Sequence, residues 1–311
     1  MYNFFPPVVR TFALLAGLGL FGMAQAQTGI GVAGFGYRKP ANTITAAPGQ
    51  VMIVSVFGIV TRFPDPVVPP PSDGPPTAVQ GITASFVQGP VTVQVQIREL
   101  QQSPCPTSGA CSPATSLTLQ IPYELNPDSS TQALLKIQEG GAAAAEVVLN
   151  PVTDSVHVLG TCDQTGVFLS LAFGLPANAC VPMVMHAGGP LVGMSAPAKP
   201  GETLVIWAYG LGAIDHPIPE ICCASPDQLP LAVQPFNVSF SYADAGRFPL
   251  RRLAPVVPDY VGMVGEGLYQ VHFVVPAVPS DISPCSGRSG NLTVQVSGPN
   301  SADAAQICVQ P

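Results

Sequence analysis

"APGQVMIVSVFGI" at residues 47–59 and "KPGETLVIWAYGL" at residues 199–211 are two copies of the stretch that decides the fold. Each copy opens with a Pro-Gly pair, which suits the centre of a tight turn, and closes with a glycine after an aromatic residue. The run between them is apolar on both faces, as in a central strand covered on both sides. A phosphate-binding loop would lead into a helix, and no helical periodicity follows residue 211. Each copy therefore predicts a turn, a buried strand and a second turn.

The similarity between the two copies continues through four further blocks in the same chain order. The matched blocks are 90–97 with 235–242, 117–122 with 271–276, 134–141 with 291–298, and 147–151 with 307–311. A repeated order of this kind predicts a tandem duplication. The predicted divisions are a signal peptide at 1–26, a first domain at 27–157 and a second domain at 158–311.

Alternation within the blocks predicts the fold of each copy. In residues 90–97 and 235–242, every second side chain after the proline is apolar and the side chains between them are polar. A period of two with one apolar face is typical of a half-buried strand. Such strands are short here and are separated by turns rich in Gly (31 residues) and Pro (36 residues). The sequence therefore predicts an all-β protein of two tandem immunoglobulin-like β-sandwiches.

Composition excludes several classes of partner. Charged residues make up 9% of the 311 residues, against roughly 25% in typical soluble domains. The formal net charge is -7, so the chain lacks the basic surface that nucleic-acid binding requires. We expect no nucleic-acid partner, no cofactor and no transmembrane segment in the mature chain.

The N-terminus has the pattern of a signal peptide. "RTFALLAGLGLFGMAQAQ" at residues 10–27 has a basic residue, a short apolar run and an Ala-Gln-Ala ending. The apolar run is too short for a mature membrane-spanning helix, and the ending suits signal peptidase. We expect cleavage after Ala26 and a secreted or cell-surface protein, with a single-span anchor as the alternative.

Eight cysteines agree with an oxidising compartment. They are Cys105, Cys111, Cys162, Cys180, Cys222, Cys223, Cys285 and Cys308. Local pairing predicts the disulfides Cys105–Cys111, Cys162–Cys180 and Cys285–Cys308. The adjacent Cys222 and Cys223 either form a vicinal disulfide or pair with other cysteines. Disulfides are favoured over a metal site because no C-x-x-C pair or nearby histidine accompanies these residues.

Three motifs in the second copy resemble the Solibacter-type uncharacterised C-terminal domain family of exported bacterial proteins. They are "SAPAKPGETLVIWAYGLGAID", "VVPDYVGMVGEGLYQVHFVVPA" and "GNLTVQVSG". The chain departs from the family pattern by an insertion, Met263 to Glu266, and by His272 where the family tends to have asparagine. The resemblance covers 165–311 well and 40–160 more loosely. It implies export and an immunoglobulin-like sandwich, and it implies no reaction.

Aromatic residues of the second copy are the tentative ligand-binding candidates. Trp207, Tyr209 and Tyr260 could stack on sugar rings, and Trp207 is the only tryptophan in the chain. Trp207 stands where the first copy has Ser55, so the scaffold itself does not require it. A place for Trp207 in the core or at an interface is the alternative.

The only neighbouring acid–histidine pair, Asp215-His216, lies close to Glu220. These three residues define a hydrolase alternative, although no G-x-S-x-G nucleophile motif occurs. His157 and His272 alternate with apolar residues and are expected on the polar faces of their strands.

The sequence as a whole predicts a non-catalytic, exported structural or adhesive protein. We expect it to bind an extracellular protein or polysaccharide through loops on its rigid sandwiches. A carbohydrate-binding module with stacking aromatics and a small hydrolase remain as alternatives.

Overall fold

The computed structural model describes residues 31–32, 43–63, 65–69, 76–103, 113–161, 163, 181–216, 229–242, 251–265, 267–277, 279, 282–285 and 290–310. The predicted signal peptide and six of the cysteines lie outside these residues. Those cysteines are Cys105, Cys111, Cys162, Cys180, Cys222 and Cys223.

The described residues form strands and no helix. The first half, residues 31–151, contains β1 Gly31–Val32, β2 Thr43–Ala46, β3 Val51–Phe57, β4 Ala78–Val79, β5 Ile82–Gln88, β6 Val91–Gln102, β7 Thr115–Gln120, β8 Ala133–Glu139 and β9 Ala145–Pro151. The second half, residues 157–310, contains β10 His157–Val158, β11 Val184–His186, β12 Thr203–Tyr209, β13 Asn237–Tyr242, β14 Arg251–Arg252, β15 Tyr260–Gly265, β16 Leu268–Val274, β17 Leu292–Ser297 and β18 Ala302–Ile307.

One long strand, β6, joins the two layers of the first half. Its first residues pair with β5, its last residues pair with β7, and the register shifts between Ile97 and Glu99. The layers are therefore β1-β3-β7-β6 and β6-β5-β8-β9-β2. Alternate side chains of both layers, including Val54, Phe86 and Leu135, are fully buried in a shared core. This is a β-sandwich, because each layer buries its apolar face against the other.

The second half is also a sandwich, but its layers are separate sheets. One sheet has the order β10-β12-β16-β15, with β11 also pairing with β12, and the other has the order β14-β13-β17-β18. Both sheets contribute to one core, in which the rings of Phe240 and Phe273 lie 5.7 Å apart. Both halves match the A-B-E-D and C-F-G strand order of immunoglobulin-like domains.

Equivalent residues of the two halves pair in the same register. The strands β3 and β7 pair as β12 and β16 do, and β8 and β9 pair as β17 and β18 do. Matching pairs are Met52–Leu119 with Leu204–Phe273, Val54–Leu117 with Ile206–Val271, and Leu135–Val147 with Leu292–Ile307.

One block of the sequence alignment differs from the structure. The sequence matched residues 90–97, the start of β6, to residues 235–242, which contain β13. In the structure β13 pairs with β17, whereas β6 pairs with β5, and it is β5 that pairs with β8. The counterpart of β13 is therefore β5. Neighbouring strands of a hairpin share the same alternation, so a period of two does not distinguish between them.

The prediction that the first block is covered on both faces holds for β12 and is wrong for β3. On the outer face of β12, Tyr209 packs with Leu159 and Met183 in a small cluster. The outer residues Ile53 and Phe57 of β3 are 46% and 40% exposed. The difference arises because Leu159, Met183 and Met185, from the chain between β10 and β12, pack on the outer face of β12.

The segment between the two halves is held by a buried carboxylate. Asp154 is 1% exposed and accepts hydrogen bonds from the backbone N–H groups of Asn300 and Ser301, both at 2.9 Å. Gly210 and Gly212 have φ of +72° and +85°, and a Cβ on either would lie 2.0 Å from a carbonyl oxygen of this segment. The segment therefore lies directly on the end of β12.

Side chains of the first half reach the second half. The Tyr123 hydroxyl lies 3.3 Å from Sδ of Met263, and the Tyr123 ring packs against the core of the second half. A Cβ on Gly267 would lie 2.7 Å from the carbonyl oxygen of Gly49 and 2.8 Å from Cγ2 of Val51. The two sandwiches thus meet through close packing.

The disulfide Cys285–Cys308, predicted from the sequence, is confirmed. Its Cα atoms are 5.6 Å apart, and it ties the chain before β17 to the residue that follows β18. Within the described residues, no helix has the length and apolar character needed to cross a membrane.

Candidate functional site

A cleft of about 690 Å³ opens on the outer face of strands β15 and β16, and we call it the β15–β16 cleft. Five of its side chains carry hydrogen-bonding groups and three are aliphatic. The lining residues are Asp215, His216, Leu229, Leu231, Tyr260, Val264, Gln270 and His272. This volume is in the range of small-ligand sites.

The alternation of β16 places two polar residues in the cleft. Tyr269, Val271 and Phe273 are at most 1% exposed and fill the sandwich core. Because successive strand residues point to opposite faces, Gln270 and His272 are directed outward. They also contact each other, since Nε2 of His272 lies 3.1 Å from Oε1 of Gln270.

Strand β15 supplies an aromatic wall beside them. Tyr260 pairs with His272 across the strands, and their rings lie 4.8 Å apart at 46°. The Tyr260 phenol lies along its own strand over Gly262, where an added Cβ would be 2.1 Å from the hydroxyl oxygen. The absence of a side chain at Gly262 therefore leaves the space that the Tyr260 ring occupies.

The loop that follows β12 supplies the acid and the second histidine. The backbone N–H of Asp215 donates to the Leu231 carbonyl at 3.0 Å, and Oδ1 of Asp215 accepts from the Leu231 N–H at 2.9 Å. The same Oδ1 lies 2.6 Å from Nδ1 of His216. The pair seen in the sequence is thus a real contact, and both residues line the cleft. Glu220, the third residue of the hydrolase hypothesis, lies outside the described residues.

The three predicted aromatic residues have different environments. Tyr260 lines the cleft. Trp207 is half-buried, lies opposite Gln270 in the β12–β16 pair and packs against the small cluster containing Leu159. Tyr209 is only 6% exposed, so the prediction of a sugar-stacking ring at Tyr209 is wrong. Leu159, Met183 and Met185 pack against Tyr209 and bury it.

Two buried polar atoms near the cleft have no hydrogen-bond partner among the described residues. They are the hydroxyl oxygen of Tyr260 and Nε1 of Trp207. A buried polar group without a partner costs roughly 1–3 kcal/mol, so such groups are rare in folded proteins. Of the two residues, only Tyr260 lines the cleft itself.

The electrostatics of the cleft favour the neutral forms of His272 and Tyr260. Burial lowers the pKa of His272, and the charge of Asp259 opposes this only in part. Burial raises the pKa of Tyr260, and the nearby Asp215 raises it further. Both rings are therefore uncharged at neutral pH, and none of the described lining residues is a lysine or arginine.

The described lining of the cleft contains no side-chain nucleophile. It contains no serine, threonine or cysteine that the Asp215–His216 pair could activate. Across the part of the chain that the structure describes, no three histidine, cysteine or acidic residues are grouped to hold a metal ion.

The other histidines form local structural contacts. His157 is exposed and lies between Asp163, at 3.1 Å, and Asp303, at 3.4 Å. These carboxylates raise the pKa of His157 to about 9. Nδ1 of His186 contacts Glu202 beside the turn before β12.

Sequence reasoning missed Gln270, His272 and Leu231 as members of one site. Alternation predicts that Gln270 and His272 share the outer face of a strand. Their position beside Tyr260 depends on the pairing of β15 with β16. Leu231 lies in the cleft because it forms a β-bridge with Gly262. One local signal was the expected insertion at Met263 to Glu266 relative to the family that the sequence resembles, because Val264 of the cleft lies inside it.

No family model matches the chain, and no curated protein matches it. Among solved structures, the chain is similar to one described as the anomalous substructure of Titin-A168169. The identity is 10%, the TM-score is 0.19, and 86% of this chain and 95% of that chain are covered. It is also similar to the C-terminal domain of the Streptococcus agalactiae AgI/II polypeptide BspA, with 8% identity, a TM-score of 0.18 and coverage of 89% and 97%. TM-scores this low carry no functional information.

Proposed function

We propose that this chain is an exported, non-catalytic adhesive protein that binds an extracellular protein or polysaccharide through the β15–β16 cleft and its loops. The observation that carries the proposal is the convergence of Asp215, His216, Tyr260, Gln270 and His272 on one concave surface. Polar groups gathered in a cleft on a rigid scaffold are the usual form of a binding site.

The proposal includes a tandem duplication of one immunoglobulin-like domain. The equal registers of β3–β7 with β12–β16, and of β8–β9 with β17–β18, support it. Positions in the first half that correspond to Trp207, Gln270 and His272 hold Ser55, Ser116 and Thr118. We therefore assign binding to the second copy and a supporting role to the first.

Membership of the Solibacter-type family and export through residues 1–26 are parts of the same proposal. The three motifs of the second copy support the family, and the Ala-Gln-Ala ending supports cleavage after Ala26. The disulfide between Cys285 and Cys308 fits an oxidising compartment.

The test is a binding comparison on immobilised extracellular-matrix proteins and soluble polysaccharides. Residues 27–311 should bind at least one of these probes, and Gln270→Ala should weaken that binding roughly tenfold, the value of one or two lost hydrogen bonds. Ser116→Ala is the matched control, because Ser116 holds the position of Gln270 in the first half. Binding that responds equally to both substitutions would place the site elsewhere and contradict the proposal.

A further inference from the structure

We infer that the occupant of the β15–β16 cleft is an uncharged saccharide. This inference rests on the proposed function, because it names the class of ligand for the same cleft. The shape, the hydrogen-bonding groups and the charge of the described lining all favour such a ligand.

The shape of the site favours a compact ligand over a protein surface. The cleft is concave and encloses about 690 Å³, a volume that small ligands occupy. Stable protein partners instead bury roughly 800 Å² on each side across a broad surface. A sugar chain can place one residue in such a cleft while its neighbours extend along the sheet.

The polar groups of the cleft offer both donors and acceptors. The Gln270 amide provides both, the Asp215 carboxylate accepts, and an imidazole such as His272 donates from one nitrogen and accepts at the other. A saccharide hydroxyl also donates and accepts, so adjacent hydroxyl groups on a ring can use such side chains together.

The apolar part of the cleft suits the C–H groups on the face of a sugar ring. Leu229, Leu231 and Val264 provide an aliphatic wall, and Leu231 is 43% exposed. The Tyr260 and His272 rings, 4.8 Å apart, form an aromatic edge. Pyranose rings present C–H groups on their faces and hydroxyl groups around their rims, so one ring can contact both parts of this lining.

The charge of the cleft selects against acidic ligands. Its described lining contains one carboxylate, Asp215, and no lysine or arginine. Anionic saccharides and phosphate groups are bound by arginine and lysine, which match their charge. A ligand without charge avoids repulsion by Asp215.

Trp207 provides the readout for the experiment. It is the only tryptophan and is the cross-strand neighbour of Gln270, so a ligand on Gln270 should alter its fluorescence. Residues 27–311 would be titrated with cellohexaose, mannohexaose and chitohexaose as neutral probes. Chondroitin sulfate and polygalacturonate are the acidic probes, and the matrix proteins of the binding comparison are the third group.

The expected result is a saturable fluorescence change with at least one neutral hexasaccharide. Its apparent Kd should change less than about twofold between low and high salt, because no ion pair forms. Gln270→Ala should raise that Kd roughly tenfold. Gly262→Ala should raise it as well by displacing the Tyr260 phenol, whereas Ser116→Ala and Gly193→Ala should not, since a Cβ on Gly193 meets open space. Thermal unfolding of each variant identifies any that fail to fold.

Three outcomes would overturn the inference, and they differ in whether the proposed function survives. Binding restricted to the acidic probes, with strong salt dependence, overturns the neutral class and leaves the cleft as a binding site. Binding restricted to a matrix protein, lost in Gln270→Ala, replaces the saccharide by a protein partner and leaves the proposed function. Absence of any binding sensitive to the cleft variants overturns both the inference and the proposed function.

Discussion

Gly210 and Gly212 end strand β12, and both have the left-handed backbone that glycine adopts without steric cost. Each also lies against a backbone carbonyl of the segment between the two sandwiches, from Ser155 and Thr153 respectively. The turn after β12, at Gly210 and Gly212, is therefore where the segment between the two sandwiches packs against the end of the strand. Asp154 completes this arrangement from the other side by accepting hydrogen bonds from residues 300 and 301.

Gly212→Ala should destabilise the protein strongly. The left-handed conformation costs an alanine about 1–2 kcal/mol, and the added Cβ would also lie 2.0 Å from the Thr153 carbonyl oxygen. We expect a total loss above about 2 kcal/mol in the free energy of unfolding, measured by chemical denaturation. Gly193→Ala is the control and should stay within about 0.5 kcal/mol. Equal stability of the two variants would show that the segment moves away from Gly212 without cost.

At the scale of elements, the edges of the second sandwich are joined by a charged cluster. His157 begins β10 in one sheet, and Asp303 lies on β18 in the other. Asp303 also accepts a hydrogen bond from the Val158 N–H at 2.8 Å, and Asp163 contacts the same histidine. The pKa of His157 is raised to about 9, chiefly by its hydrogen bond to Asp163 and then by that to Asp303.

This cluster predicts a pH dependence with a defined sign. A histidine whose pKa is higher in the folded state stabilises the fold fully below its unfolded pKa of about 6.5 and loses that effect as pH rises through about 9. The free energy of unfolding of the native chain should exceed that of His157→Gln at about pH 6 and equal it at about pH 10. The difference should stay below about 1 kcal/mol and shrink in added salt, because His157 is half exposed. A difference that grew with pH would contradict the assignment.

Most strands could be predicted from the sequence, because alternation depends on local residues alone. The repeated Pro-Gly turns located β3 and β12. Their pairing partners, β7 and β16, contain the blocks 117–122 and 271–276, which were also aligned from the sequence. The exchange of β5 for β6 shows where this reasoning fails, since sheet neighbours are chosen by long-range packing.

The candidate site was only partly predictable for the same reason. Tyr260 was a candidate because it is aromatic. Asp215 and His216 were candidates because they are neighbours in the sequence. Gln270 and His272 join them only through the pairing of β15 with β16. Tyr209 was misjudged because the residues that bury it, Leu159, Met183 and Met185, are distant from it in sequence and reach it only in the fold.

At the scale of the whole molecule, the two sandwiches share more than a connecting segment. Tyr123 of the first half packs against the core of the second, and Val51 packs with the small cluster on the outer face of β12. Close contact at Gly49 and Gly267 leaves no space for larger side chains there. These contacts favour a fixed arrangement over a hinge.

We therefore expect the two sandwiches to unfold together. Trp207 lies in the second half, so its fluorescence follows mainly the unfolding of that half, whereas far-ultraviolet circular dichroism reports both halves. Their denaturation curves should coincide in the native chain and separate in Tyr123→Ala, which removes the ring from the interface. Tyr123→Phe keeps the ring and serves as the control, with curves that still coincide. Separate curves in the native chain would show that the interface does not couple the halves.

β6 crosses both layers of the first sandwich without a break, whereas the second sandwich has β14 and β15 in its place, separated by the mostly exposed residues 253–259. Because β6 is continuous, the sandwich fold does not require the break that residues 253–259 make between β14 and β15. Residues 253–259 also lead directly into Tyr260, at the wall of the cleft. Val256 still pairs with Val238 of β13, so the replaceable part of this segment lies after Val256. Loops of other lengths and compositions grafted between Val256 and Tyr260 should therefore alter ligand selectivity while the fold persists, which makes this position a natural starting point for engineering new specificities.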